Sequence, residues 1–541
     1  MQIAGNIVDV VGLKIYKGIL NIENGLIMSI KHTDNVPDQY IIPGFVDAHI
    51  HIESSMMLPA EFARQAVVYG TVACVCDPHE IANVCGVAGI DYMIENGKKA
   101  PLKFYFGAPS CVPATPFDSA GAELDAGEVD KLLSRDDIHF LAEMMNYPGV
   151  IEKDEQVHLK LAAARRHRKP ADGHAPELTG DGLKAYAGAG ISTDHECMTI
   201  AEAEAKIALG MKVQIREGSA AKNFDDLLPL LSRYRDQIMF CSDDKHPDDL
   251  MKNGHIDALA RRAVAAGYNP VDVLRICSYV PVKHYNLNVG LIQEGDAADF
   301  VITDNLKDFT ILETYIGGQK VAEKHKPLFA RYTQTELLNN FKAEKISVEQ
   351  IKVKPSGEML KVIQVDDGQL FTHSRLVKPL ITNNNVISDT TNDALKLVVY
   401  NRYRPSEPAV GFITNIGLKR GALASTVSHD SHNIVAVGTS DEEIVSAINH
   451  IIDSKGGILA CHKEEVCLLP LPVGGLMSNL PGEEIADIYE KADAMVKRMG
   501  STLKAPFMTV AFMSLIVIPR LKLSDQGLFD GHTYSFTNLM V

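Results

Sequence analysis

The stretch that decides the fold is Gly44-Phe45-Val46-Asp47-Ala48-His49-Ile50-His51-Ile52-Glu53. In it, apolar residues alternate with Asp47, His49, His51 and Glu53, so a β-strand would carry all four polar side chains on one face. Burying these groups together costs free energy unless each finds a partner. A divalent cation is a suitable partner, because imidazole nitrogens are common metal ligands. The stretch therefore predicts a metal-binding strand, and two hydrogen-bonded core histidines are the alternative interpretation.

Length, charge and cysteine content restrict the class of protein. A chain of 541 residues is long enough for two or three domains, and its apolar and charged fractions are those of a globular protein. The net charge of −16 argues against nucleic acid or an anionic membrane as a partner. The first residues lack the pattern of a secretory signal, and the nine cysteines lack the spacing of a zinc site or a disulfide framework. We therefore expect a cytoplasmic protein that acts on a small molecule.

Strand-like and helical patterns alternate through the middle of the chain, which is typical of a parallel α/β sheet. Eight such strands lie within about 250 residues, the length that a (β/α)8 barrel of the TIM type needs. The predicted fold class is α/β, with this barrel over residues 43–289. The predicted strands are residues 43–50, 71–76, 102–107, 138–143, 170–174, 191–195, 212–217 and 238–243.

The segments outside the barrel predict three further units. Residues 1–42 and 290–330 contain short strands separated by Gly and Asn turns, and we expect the two segments to form one small β-sandwich domain. Residues 331–375 are polar and predict a linker region. Residues 376–541 predict a C-terminal α+β domain, in which apolar residues between 485 and 499 recur at helical spacing.

Residue types that bind metals fall at the C-terminal ends of five predicted strands, which is the end where barrels of this kind place their active sites. Six ligands are too many for one zinc ion and suit two cations that share a bridging carboxylate, for which Glu143 is the candidate. Such a pair lowers the pKa of bound water to about 7 and supplies a hydroxide nucleophile, whose proton Asp243 is placed to take. The six candidates are His49, His51, Glu143, His174, His195 and Asp243.

Other polar residues near the strand ends have two interpretations. Glu53 and the loop Asp77-Pro78-His79-Glu80 predict contacts with a substrate, or else hydrogen bonds among the barrel loops. Arg216 and Glu217 end the seventh strand and either contact the substrate or pair with each other. Asp244 and His246 follow Asp243 too closely to share its face of a strand, so we expect them behind the ligands.

Six longer strings resemble the adenine deaminases of the amidohydrolase superfamily. This resemblance implies conversion of adenine and water to hypoxanthine and ammonia, with the same six ligands holding two divalent cations. Manganese or iron is usual in the family, with zinc as the alternative, and its members form homo-oligomers, as dimers or larger assemblies. The strings are His49-Ile50-His51-Ile52-Glu53-Ser54-Ser55, Asp77-Pro78-His79-Glu80-Ile81-Ala82-Asn83-Val84, Glu143-Met144-Met145-Asn146-Tyr147-Pro148-Gly149-Val150-Ile151, Gly173-His174-Ala175-Pro176, Thr193-Asp194-His195-Glu196 and Ser242-Asp243-Asp244.

With this chemistry, Asp243, Glu53 and His79 are the candidate catalytic residues, Asp243 as the proton shuttle and one of the other two beside the N1 atom of the base. Glu80, Arg216 and Glu217, with His429 and His432 of the C-terminal region, are candidates for binding the substrate. The two histidines lie in Ser428-His429-Asp430-Ser431-His432-Asn433, which predicts either a solvated loop or a lid over the barrel.

Two other functions fit the sequence less well. Hydrolases of cyclic amides, such as dihydroorotases and hydantoinases, resemble this chain but bridge their metals with a carboxylated lysine, where this chain offers Glu143. A non-catalytic scaffold on the same barrel is the second alternative, although such proteins tend to lose ligands and none is missing here.

Overall fold

The two flanks of the chain build one continuous eight-stranded sheet in the computed structural model, which describes residues 1–541. The flanks join where Tyr40–Pro43 pairs antiparallel with Phe300–Thr303. A small core that includes Ile7, Leu20 and Phe300 packs against the sheet. The strands are Gln2–Asp9, Lys14–Glu23, Leu26–His32, Tyr40–Pro43, Phe300–Thr303, Ile311–Ile316, Gln319–Glu323 and Lys326–Pro327.

Parallel strands form the middle of the chain, as predicted, within a few residues of the predicted bounds. Five of them pair in chain order as one sheet, and the next three pair as a second sheet. Single parallel bridges connect the two sheets, between Ala171 and Ile191 and between Ile50 and Asp243. The strands are Phe45–Ile50, Thr71–Cys76, Lys103–Ala108, Ile138–Met144 and Ala171–Gly173, then Thr193–Asp194, Lys212–Arg216 and Ile238–Cys241.

Helices follow nearly every one of these strands, so the region is a mixed α/β fold. The helices are Pro59–Ala66, His79–Cys85, Val87–Gly97, Ala126–Leu133, Tyr147–Glu152, Glu155–Arg166, Gly180–Gly188, Ile200–Ala208, Phe224–Leu227, Leu231–Tyr234, Pro247–Asn253, Ile256–Ala265, Pro270–Ile276 and Tyr279–Tyr285. Short 3-10 helices occupy Ile52–Ser55, Val67–Tyr69 and Leu228–Leu230.

Local sequence explains why the first strand packs closely on the second. A Cβ atom at Gly44 would lie 2.3 Å from a methyl group of Val72, so only glycine allows this approach. Phe45–Ile50 and Thr71–Cys76 are buried along their whole length, as strands covered on both faces must be. The strand that carries His49 is therefore fixed firmly in the core.

A second eight-stranded sheet forms the C-terminal region. Its strands, in spatial order, are Thr372–Val377, Leu360–Val365, Ala409–Thr414, Leu395–Tyr400, Ile434–Gly438, Ala422–Ser425, Gly457–His462 and Glu465–Pro470. The remaining elements are the helices Asp441–Ser454, Gly482–Arg498 and Pro506–Ala511, the 3-10 helices Val348–Ile351 and Phe512–Ser514, and the short strands Leu380–Thr382, Asn385–Ile387, Leu521–Ser524, Gly527–Asp530 and Ser535–Phe536.

Two predictions for this region have different outcomes. The predicted helix is confirmed as Gly482–Arg498, with Glu483 and Glu484 in its first turn. The prediction that residues 331–375 are a linker is wrong for its second half, because Leu360–Val365 pairs with Ala409–Thr414 in the sheet. The composition of residues 331–375 is polar overall, so the apolar side chains of this short strand did not show in it.

The region of parallel strands and the C-terminal region share one hydrophobic core. A single cluster of 128 buried residues contains Phe45 and Phe140 from the parallel strands and Met477 and Phe512 from the C-terminal region. The two regions are therefore packed against each other, and the C-terminal region can cover the ends of the parallel strands. None of the helices combines the length and the apolar character needed to cross a bilayer.

Candidate metal centre

The six predicted ligands meet in one buried place. His49 belongs to the strand Phe45–Ile50 and Glu143 to the strand Ile138–Met144, and the other four lie within two residues after the end of a strand. All six are buried, and none has more than 8% of its surface exposed. Residues far apart in the sequence therefore converge because parallel strands end at the same edge.

Glu143 lies at the centre of the cluster. Its Oε2 atom is 3.1 Å from Nδ1 of His174 and 3.1 Å from Nε2 of His195. Its Oε1 atom lies 3.7 Å from Nε2 of His51, while Oε2 lies 3.7 Å from Nε2 of His49. The carboxylate thus faces two groups of imidazoles at once, as a bridging ligand must.

Asp243 closes the cluster on the opposite side. Its Oδ1 atom is 3.3 Å from Nε2 of His51 and 3.7 Å from Nε2 of His49. Its Oδ2 atom accepts a hydrogen bond of 2.9 Å from Arg216. Burial alone would raise the pKa of Asp243, but the Arg216 guanidinium and the nearby imidazoles hold it well below its usual range. Asp243 is therefore an ionised carboxylate.

The cluster has the chemistry of a metal site. Ligand atoms bound to one cation at about 2.1 Å in tetrahedral geometry lie about 3.4 Å apart, which matches the separations of 3.1 to 3.7 Å given above. The Nε2 atoms of His49 and His51 are only 3.2 Å apart, and Nε2 of the neutral His51 ring carries a lone pair, because its Nδ1 donates to the carbonyl of Asp77. A cation between such nitrogens satisfies both lone pairs, so the residues fit divalent metal.

The pKa values of the four imidazoles differ: that of His49 is lowered, whereas those of His51, His174 and His195 are raised. Burial lowers the pKa of His49 well below its ordinary value, which keeps the ring neutral, as a metal ligand must be. Burial also lowers the pKa of His174, but the Glu196 and Glu143 carboxylates outweigh it and raise the value to about 9. The carboxylates thus give the cluster a negative electrostatic potential, which favours binding of cations.

Asp77 orients the ligands from behind. Its carbonyl oxygen lies 3.1 Å from Nδ1 of His51. Its carboxylate accepts hydrogen bonds from the backbone of His79 and of Glu143, at 3.0 and 3.3 Å. These bonds orient the His51 ring and the backbone at Glu143, and such supporting hydrogen bonds are typical of metal centres.

His79 and Glu80 line the cavity beside the cluster, whereas Glu53 does not. Nδ1 of His79 is 3.5 Å from Glu143, and its Nε2 is 3.6 Å from Asp430. Burial raises the pKa of Glu80 well above its usual value, and the neighbouring Glu53 carboxylate raises it further. Glu53 accepts a hydrogen bond from the backbone of Ile81, so it lies beside Glu80 in the loop.

Arg216 lines the cavity and Glu217 does not. The alternative prediction that these two residues pair with each other is wrong. Arg216 forms a bidentate ion pair with Glu196 and also contacts Asp243. Glu217 instead pairs with Lys222 and Arg262 at 3.0 and 2.9 Å. Neighbouring residues at a strand end face opposite sides, which separates Arg216 from Glu217.

The C-terminal region supplies the roof of the cavity, which we define as Leu370, His429, Asp430, Phe512 and Leu515. The rings of His429 and Phe512 stack with their centroids 4.5 Å apart. Nδ1 of His429 lies 3.6 Å from Glu80. The prediction of a solvated loop is wrong, because His429 is buried in this contact.

His432 lies behind the roof and does not line the cavity. It is fully buried, and its Nε2 is 3.9 Å from Glu80. Its Nδ1 accepts a hydrogen bond from the backbone of Ser428. His432 therefore holds the shape of its own loop.

Three charged cavity residues were missed or misplaced by sequence reasoning, namely Glu196, Asp244 and Asp430. Asp244 was expected behind the ligands, because neighbours on a strand face opposite sides. The strand ends at Cys241, however, and Asp243 has a left-handed φ of 54°, so both carboxylates face inward. His246 does not line the cavity, as expected.

Comparisons with known proteins agree with this arrangement. Residues 40–321 match the amidohydrolase family model, and residues 369–535 match the model of the adenine deaminase C-terminal domain. The chain is 51% identical to an adenine deaminase of Methanosarcina mazei, over 99% of this chain and 98% of that relative. It is 48% identical to an adenine deaminase of Salinibacter ruber, over 100% of this chain and 99% of that relative.

Proposed function

The chain belongs to the adenine deaminases of the amidohydrolase family and hydrolyses a C–N bond, that of the adenine amino group, and we propose that the candidate metal centre performs this reaction. Adenine and water are converted to hypoxanthine and ammonia. The observation that carries the proposal is the position of Glu143, whose carboxylate lies within 3.1 to 3.7 Å of all four candidate imidazole ligands.

The family is metal-dependent, and the chain contains side-chain groups able to hold metal. We propose two divalent ions, Mn²⁺ or Fe²⁺ with Zn²⁺ as the alternative. His49, His51 and Asp243 would hold one ion, His174 and His195 the other, and Glu143 both. When bound, such ions act as Lewis acids that make water nucleophilic at neutral pH.

The chain's own side chains would then bind the base and move protons. Asp243, ionised beside Arg216, accepts a proton from the attacking water and delivers it to the amino group, which leaves as ammonia. His79 and Glu80 line the cavity on the other side, where they would contact the N1 atom of the ring. Glu53 lies next to Glu80 and would support that contact, so we propose it as a positioning residue.

The same reasoning extends to the architecture and assembly. Bridges between the two parallel sheets support a closed (β/α)8 barrel over residues 43–289, with the flanks and the C-terminal region as separate domains. Exposed apolar side chains at Leu376, Leu380 and Ile381 support the proposal of a homo-oligomer. A cytoplasmic location stays a prediction from the cysteine pattern.

A direct test is ammonia release from adenine by the full chain. Protein loaded with manganese or iron should release ammonia and form hypoxanthine, and a chelator that removes the ions should stop the reaction. Hydantoin and dihydroorotate are the comparison substrates. Turnover of those two compounds without turnover of adenine would refute the assignment.

A further inference from the structure

The cavity over the metal centre is too small for the substrate. Its free volume is about 30 Å³. A water molecule needs about 10–15 Å³ of such space, so the cavity holds about two waters and not the fused rings of a purine. The base must therefore approach from an adjoining space, and part of the wall must move to admit it.

A larger space of about 290 Å³ adjoins the cavity, and we call it the antechamber. The two spaces share Glu196, Arg216 and Leu370 as walls. The antechamber lies between barrel loops and the C-terminal region, and its other walls include Pro176, Met198, Lys222, Phe371, Thr509 and Ile518. Its size suits a purine base, and its position makes it the neighbour of the metal centre.

The walls of the antechamber suit a flat, largely apolar ring that also accepts hydrogen bonds. The half-buried Phe371 offers an aromatic face, and bases stack readily on such faces. Gln369 and Lys504 on the same walls can donate hydrogen bonds, and the ring nitrogens of a purine are acceptors for such donors.

Leu370 is the uncharged part of the shared wall, whereas Glu196 and Arg216 are held together by an ion pair. Leu370 lies in a turn at residues 366–371 whose residues Asp367, Gly368 and Gln369 are exposed. Gly368 has a φ of +76°, a backbone conformation that residues with a side chain rarely adopt. The turn is anchored after its end, where the Thr372 hydroxyl donates to the carbonyl of Leu521.

A buried lysine holds this turn against the roof. Nζ of Lys522 donates hydrogen bonds to the carbonyl of Leu370 at 2.7 Å and to that of Phe512 at 3.0 Å. Lys522 is fully buried, and these two carbonyls are its hydrogen-bond partners. One ammonium group thus joins the wall of the antechamber to the roof of the cavity.

We propose that the antechamber is a binding site for purine bases, from which adenine passes Leu370 to reach the metal centre. The inference rests on the proposed function, because it requires that the reaction takes place at the adjoining cluster. It assigns the C-terminal region a role in admitting the substrate.

The absence of tryptophan from the sequence allows a clean optical test. Lys222→Trp places a single indole in the antechamber, at a residue that does not line the metal cavity. Hypoxanthine, which is not turned over, should quench its fluorescence saturably, because bases stack on indole. The matched control is Ala265→Trp, an exposed residue at the end of the helix Ile256–Ala265, whose fluorescence should not respond.

A second variant fills the space. Ala220→Trp should lower kcat/KM for adenine by about tenfold or more, corresponding to about 1.4 kcal/mol, without changing the metal content. An absence of saturable quenching in Lys222→Trp refutes the antechamber even if Ala220→Trp fails to fold, and an unchanged kcat/KM in folded Ala220→Trp refutes it as well. Quenching without ammonia release from the unmodified chain would instead refute the proposed function and leave the binding site standing.

Discussion

The floor and the roof of the cavity are built by different means. The floor consists of His49, Glu143 and Asp243 with their neighbouring ligands, on or just after strands that are buried along nearly their whole length. The roof comes from the C-terminal region and is held by a stacked ring pair, His429 and Phe512, and by the carbonyl contacts of Lys522. The difference teaches that the candidate ligands sit on strands of the core, whereas the cover over them depends on a few contacts between regions, so we expect admission of the base to be decided in the roof.

The charges are also divided between the two parts. The floor concentrates carboxylates around imidazoles and needs Arg216 and bound cations to balance them. The roof contributes mainly aromatic and aliphatic surface, with one carboxylate, Asp430, near His79 and with His429 facing Glu80. Changes to the floor should therefore remove metal and chemistry, and changes to the roof should alter binding of the base.

The largest effect is expected from Glu143→Gln. This variant keeps the shape of the bridge but removes the charge that the clustered ligands share. The transition state should lose several kcal/mol of stabilisation, which lowers turnover by roughly a thousandfold. The metal bound per chain should fall as well. Metal analysis and ammonia release measure both effects.

The control for this variant is Glu155→Gln, at an exposed glutamate in the helix Glu155–Arg166. It should keep both metal and activity. If Glu143→Gln kept its full metal content and turnover, the floor would not be the part of the cavity that binds metal and carries out the chemistry.

A smaller effect is expected in the roof from Phe512→Leu. The variant keeps apolar volume but loses the stacking on His429, which is worth about 0.5–1.5 kcal/mol. The KM for adenine should rise by about twofold to tenfold, while kcat and the metal content stay close to those of the unmodified chain. Steady-state kinetics at saturating metal measure the two constants.

Phe536→Leu, at an exposed phenylalanine near the C-terminus, is the matched control and should behave as the unmodified chain. Alanine at both His429 and His432 extends the test to the rest of the loop. If that double variant and Phe512→Leu leave KM and turnover unchanged, the roof has no part in binding the base.

A third effect acts on stability rather than on turnover; it concerns Lys522 and depends on pH. Burial lowers the pKa of Lys522 to about 7, against about 10.4 in an unfolded chain. Between these values the unfolded chain binds more protons, so this lysine makes folding more favourable as pH rises, by at most about 1.4 kcal/mol per pH unit. Below pH 7 the lysine is charged in both states, so the cost of burying its charge lowers the free energy of unfolding by the full amount.

The measurement compares the melting temperatures of the unmodified chain and Lys522→Met. The variant should be the more stable of the two near pH 6.5, and its advantage should shrink steadily up to about pH 9.5. Lys378→Met, at an exposed lysine, should follow the unmodified chain at every pH. A constant difference between Lys522→Met and the unmodified chain would mean that Lys522 does not titrate in this range.

Much of the floor was predictable because it depends on local regularities. Alternation in the strand Phe45–Ile50 predicted that His49 and His51 act together, and counting strands brought Glu143 and Asp243 to the same edge. The same rule failed at Asp244, because the backbone leaves the strand conformation at Asp243. Periodicity holds only while the chain remains a strand.

The sequence by itself determined the α/β class, the kinds of ligand and their order along the chain, since these follow from patterns within a few residues. Only the tertiary structure decided that Arg216 pairs with Glu196, and that Leu370 is held by Lys522, a residue 152 positions away. Such contacts arise when separate regions pack together and bury polar groups that must find partners. No local pattern records which distant partner a buried group will meet.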